Sequence, residues 1–168
     1  QVFSVIVSSS EKGGIASWHV LKRIKDLQLY LATVPGVDQT ISLADYSELV
    51  DRAIRKGGEA EGDIIVGEEE GGAPPLEASS SDTPFWEHEG RFNSAMKLIK
   101  NSNPKTFASV ANADFSMSSI TVRTRLSSSS DIVGTAERIR QYAKEHFPPE
   151  IEVRPTGSLI LLNEATED

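Results

Sequence analysis

The stretch from Ser118 to Gly157 constrains this chain most, because it reads strand, helix, strand, with a different apolar period in each part. Ile120, Val122, Thr124 and Leu126 alternate with Thr121, Arg123 and Arg125, the period-two pattern of a strand with one buried face. Ser127 to Ser130 breaks that pattern, and Ser130 or Asp131 is expected to cap a helix. Ile132, Ala136, Ile139 and Ala143 then fall at i, i+4, i+7 and i+11, which lays an apolar stripe along the helix. Pro148 and Pro149 stop it. Ile151 and Val153 alternate with Glu152 and Arg154 in a second strand that closes at Pro155-Thr156-Gly157.

The N-terminal part repeats this layout without repeating the sequence. Val2 to Ser8 carries a continuous apolar run, VFSVIV, rich in β-branched residues, and suits a central strand buried on both faces. Ser9 to Gly14 is a turn, and Ser17 is placed to cap a helix. That helix puts Val20, Leu21, Ile24, Leu27 and Leu31 on one side and Lys22, Arg23, Lys25 and Asp26 on the other. Pro35-Gly36 ends it, and Val37 to Ile41 forms a short strand. Two βαβ-type halves in this order predict an α+β fold, a ferredoxin-like split βαβ sandwich with helices on one face of a four-stranded sheet. The first half is 1–42 and the second 117–158, with 43–116 a large helical and flexible insertion between them and 159–168 the approach to a transmembrane helix.

Within the insertion, Ser42-Leu43-Ala44-Asp45 has capping-box spacing with Asp in place of Glu. The helix it opens runs to about Arg55 and offers Leu43, Tyr46, Leu49, Val50, Ala53 and Ile54 for packing. Phe92, Met96 and Ile99 mark a second helix, and Phe107, Val110 and Ala111 a short turn before the third strand. Residues 57–84 carry eight acids (Glu59, Glu61, Asp63, Glu68, Glu69, Glu70, Glu77 and Asp82) and no Lys or Arg, a charge equal to the whole chain's formal net of −8. The acids repel, and Ile64-Ile65-Val66 is too small a cluster to offset ordering at about 1–2 kcal/mol per residue, so a mobile acidic loop is expected. The rest of the chain is balanced and shows no basic stripe, which argues against a nucleic-acid partner.

With 168 residues, 38% of them apolar, one domain with an insertion is expected. There is no cysteine, hence no disulfide, thiolate metal site or thiol nucleophile. No run approaches the roughly 20 apolar residues that cross a bilayer. Gln1 opens directly into a strand without a signal peptide, and Leu159-Ile160-Leu161-Leu162 has the character of an approach to a membrane, so the chain reads as a piece of something larger.

Reaction chemistry is hard to find. His19, His88 and His146 do not pair at i+3 or i+4, and Glu87 and Glu89 flank His88 without sharing its helix face. Glu68-Glu69-Glu70 lacks the alternating oxygen ligands of a calcium loop. No nucleophile elbow, phosphate loop or dinucleotide fingerprint is present, so neither a catalytic set nor a cofactor is expected, and the reading is not an enzyme. The remaining lead is aromatic: Trp18, Phe85, Trp86 and Phe92 are candidate contacts for a hydrophobic substrate in a cleft between insertion and sheet, or else core.

Taken in order, Val20-Leu21-Lys22-Arg23-Ile24-Lys25-Asp26-Leu27-Gln28, Val34-Pro35-Gly36-Val37 and Ser42-Leu43-Ala44-Asp45 resemble the extracytoplasmic loops of RND-superfamily exporters of the MMPL type. Ile120-Thr121-Val122-Arg123, the helix through Phe147-Pro148, and Val153-Arg154-Pro155-Thr156-Gly157-Ser158 resemble the same family's second strand–helix–strand and its closing V-x-x-T-G strand. The resemblance covers roughly 2–56 and 95–165 and leaves the acidic stretch without a counterpart. It implies a porter domain on the periplasmic or extracytoplasmic side of the membrane, part of a proton-driven exporter. Its partners would be a lipid or other hydrophobic small molecule, the transmembrane helices and a second porter loop. By itself the domain is expected to be a monomer or weak dimer. The competing reading is a free-standing ferredoxin-like regulatory module that binds a small polar ligand.

Overall fold

A computed structural model describes residues 1–57 and 82–157. The greater part of the expected acidic loop, including Ile64-Ile65-Val66 and Glu68-Glu69-Glu70, and the run Leu159–Leu162 lie outside the described residues. Four strands, β1 (Val2–Ser9), β2 (Val37–Ile41), β3 (Met117–Thr124) and β4 (Ile151–Thr156), form one antiparallel sheet in the order β2-β3-β1-β4. Helix α1 (Trp18–Leu31) joins β1 to β2, and α5 (Ser129–His146) joins β3 to β4. This is the ferredoxin-like split βαβ arrangement. The insertion supplies α2 (Leu43–Lys56), α3 (Thr83–Trp86), α4 (Glu89–Lys100) and a 3₁₀ turn at Pro104–Phe107.

Pairing fixes which side of each strand meets the core. Phe3, Val5 and Val7 lie opposite Val122, Ile120 and Ser118, and all six are buried. One residue out of phase, Ser4, Ile6 and Ser8 face Thr121, Ser119 and Met117 on the side without helices and are half-buried. The expectation that β1 is buried on both faces is therefore corrected: it is central, between β3 and β4, but only one face is covered. Its β-branched content reflects pleat preference as much as burial. Pro155 sits on the edge strand β4, where a missing N–H interrupts no second ladder.

The helix starts follow side-chain caps. Ser17 Oγ accepts from the Val20 N–H at 3.2 Å, as its position predicts. At α2 both halves of the capping box form between Ser42 and Asp45, with Asp45 Oδ2 accepting from Ser42 N–H, and Ser42 Oγ also accepts from Ala44 N–H. At α5 the cap is Ser128 rather than Ser130 or Asp131. Starting there puts Asp131 in the first turn, where its own N–H is capped by Ser128 Oγ and its charge meets the positive helix end. Gly36 has φ +90, and a Cβ there would lie 2.4 Å from Leu126 Cδ2, so the turn into β2 needs glycine on two counts. Leu126 itself falls beyond β3, half-buried over that turn.

Candidate functional site

The insertion meets the sandwich along one flank of α1. The helical pattern assigns Lys25 to the solvent side, yet its side chain is 2% exposed. Lys25 shares a stripe with Leu21, four residues before it, and Gln28, three residues after it, and α2 lies along that stripe. Lys25 Nζ is 2.6 Å from Asp45 Oδ1 and 3.3 Å from Glu48 Oε2. Gln28 Nε2 donates to Asp45 Oδ2 at 2.7 Å and to Thr40 Oγ1 at 3.1 Å, while its Oε1 accepts from Ser42 Oγ at 2.8 Å. Asp45 thus caps α2 and also receives Lys25 and Gln28 from α1.

Glu48 lies next along the same face of α2, between Lys25 and Trp86. Its Oε2 accepts from the Trp86 indole N–H and, at 3.4 Å, from the Asp82 backbone N–H. Burial pushes the Glu48 carboxyl above the usual carboxylate range; Lys25 and the Trp86 hydrogen bond pull against that without cancelling it. One turn on, Asp51 accepts from Arg91 Nε at 3.2 Å and from a second guanidinium nitrogen, and from Arg55 Nε at 3.1 Å. The bonded Asp51 carboxylate raises the Arg91 pKa further and fixes its charge. Asp45, Glu48 and Asp51 recur along α2 at spacings of three, so one acidic stripe meets Lys25, Trp86 and Arg91 in turn.

The four aromatic candidates are brought to this junction. Phe85 and Trp86 meet edge to face at a centroid distance of 4.8 Å, and Phe92 lies 6.3 Å from Phe85 and 5.9 Å from Trp86. Trp18 Nε1 donates to the Trp86 carbonyl at 3.0 Å, and Lys22 Nζ sits 4.8 Å over the Trp18 ring. Phe85, Trp86 and Phe92 are buried, whereas Trp18 is half-buried. Three of the four are therefore packed as core in this state, and Trp18 is the one with solvent access.

Chemically the junction is a buried polar seam with an aromatic lid. Among the described residues the sole buried side-chain oxygen or nitrogen without a hydrogen bond is Thr124 Oγ1, in β3. His88, Glu87 and Glu89 are exposed, and among the described residues no group of three His, Asp or Glu side chains is placed to hold a metal ion. Sequence reasoning missed Lys25, Gln28, Asp45, Glu48 and Asp51 as buried partners. The three-residue spacing of the acids on α2 was the available signal. Comparisons with protein-family models, curated proteins and solved structures returned no match.

Proposed function

We propose that this chain is a porter-type extracytoplasmic domain of an RND/MMPL-type, proton-driven exporter that binds or passes a lipid or other hydrophobic molecule. The ordered resemblance motivates this reading, and one observation carries it. Ser4 pairs with Thr156, so β1 begins beside the end of β4 and both described ends lie at the same end of the sheet, on neighbouring strands. A domain entered and left side by side can be set between two membrane segments without spanning the distance itself. Among the described residues no helix is long and apolar enough to cross a membrane, so such segments would be outside them. Trp18 is the accessible candidate for substrate contact; Phe85, Trp86 and Phe92 would join it only if α3 moved away from α2.

The parent reading frame tests this directly. Apolar spans on both sides of the domain support it, and a start codon just before Gln1 with a stop just after Asp168 overturns it. Lipid extraction and mass spectrometry of the full-length protein would then identify the cargo. The second reading, a free-standing module for a small polar ligand, is favoured by a polar cleft at the start of α1.

A further inference from the structure

A cleft of about 680 Å³ lies where the β1–α1 loop and the first turns of α1 face the end of α5 and the loop into β4. That size is within the roughly 300–1,000 Å³ of small-molecule sites. Its rim is held rather than loose. Ser9 N–H donates to Ser116 O at 2.8 Å, Gly13 N–H to Asp114 O at 2.7 Å and Ile15 N–H to Phe115 O at 3.1 Å. Gly13 has φ +74, and a Cβ on Gly14 would lie 2.1 Å from Ser9 Oγ, so this tight loop requires both glycines.

The two walls differ in charge. The α1 wall carries Arg23 and His19, both exposed, beside the first-turn N–H groups that helix geometry leaves without an intrahelical acceptor. The facing wall carries Glu145, His146 and Glu150, all exposed, beside the last carbonyls of α5. The helix ends differ in sign because α1 and α5 return from β1 and β3, which are antiparallel, so the N-terminus of one meets the C-terminus of the other. Buried Val20, Phe147 and Ile151 also line the cleft and give it apolar surface.

A simple anion here would meet Glu145, Glu150 and, on the rim, Glu11. A simple amine would meet Arg23 and the positive end of α1. A molecule with both charges finds a complementary wall at each end. The geometry points to a binding site for a small zwitterion, an amino acid or dipeptide, with its carboxylate toward Arg23 and the start of α1 and its ammonium toward Glu145 and Glu150. This site is separate from the aromatic junction and does not depend on the membrane reading; flanking spans in the parent gene leave it unaffected.

The test is an NMR titration of the isotopically labelled full chain with L-alanine and L-alanyl-L-alanine, with N-acetyl-L-alanine as the anion-only control and L-alaninamide as the cation-only control. At least one zwitterion is expected to give saturable amide shifts confined to residues 9–23 and 145–151, with each control binding at least about tenfold more weakly, or about 1.4 kcal/mol. Arg23→Gln and Glu150→Gln alter exposed side chains, so the fold should persist while each weakens zwitterion binding several-fold. Absence of a saturable shift with both zwitterions overturns the inference. So does a control that binds as tightly as the zwitterion, or an affinity that neither substitution changes.

Discussion

Replacing Lys25 with Met isolates what the buried cation contributes at the insertion's contact with α1. Methionine keeps most of the aliphatic stem and removes the ammonium that lies 2.6 Å from Asp45 and 3.3 Å from Glu48. Removing one partner of a buried ion pair typically costs about 3–5 kcal/mol, because the other charge is left uncompensated. Proton uptake limits that penalty. Protonating a carboxyl of ordinary pKa 4.5 at pH 7 costs about 3.4 kcal/mol, at 1.36 kcal/mol per pH unit. Glu48 is the group to take the proton, since burial already raises its pKa and Asp45 keeps the Gln28 amide and the Ser42 N–H. The charge-related loss should therefore be about 3 kcal/mol at pH 7 and fall to about 1 kcal/mol at pH 5. The sign follows from a raised acid: the variant recovers stability below the unfolded pKa and loses it as pH rises through the folded one. Urea unfolding followed by tryptophan fluorescence at both pH values measures this, because Trp86 donates to Glu48. Adding Glu48→Gln to the Lys25→Met variant should restore most of the loss, and the double-mutant cycle gives the coupling. A loss below about 1 kcal/mol at pH 7, or one equal at the two pH values, would refute the electrostatic account.

Glu48→Gln alone should flatten the dependence of stability on pH above 4.5, where ionisation of the wild-type carboxyl works against folding; parallel stability curves for the two proteins would contradict the raised pKa. Arg91→Met removes a two-point hydrogen bond to Asp51 and should cost about 1.5–3 kcal/mol in chemical denaturation, with Arg55 still on the carboxylate. Gly36→Ala should destabilise by more than about 1 kcal/mol, and Leu126→Ala in the same chain should recover the steric part but not the backbone part. Thr124→Val removes a buried hydroxyl that has no hydrogen-bond partner while keeping its shape, and should raise the melting temperature; a drop would show that the hydroxyl is satisfied in solution.

What the sequence made legible is what repeats. The alternation of Ile120, Val122 and Thr124, the stripe from Ile132 to Ala143 and the capping box at Ser42 are local signals, and each led to the element it implied. The split βαβ layout followed from their order. The buried seam was not legible because charge at a helical position normally marks solvent, and only the arrival of α2 beside α1 turns Lys25 inward. The error at β1 has a related cause, since an apolar run cannot say whether a second layer covers its other face. Phe85, Trp86 and Phe92 are close in sequence, so their meeting was foreseeable; the hydrogen bonds that tie Trp86 to Trp18 and to Glu48 were not.

The Ser4–Thr156 pairing also has a mechanical consequence. Tension applied between Gln1 and Gly157 would load the β1–β4 ladder one rung at a time from its open end, as a zip is undone, instead of stretching all its bonds together. Neighbours that drew these two ends apart would peel β4 away first and leave β1 held by β3.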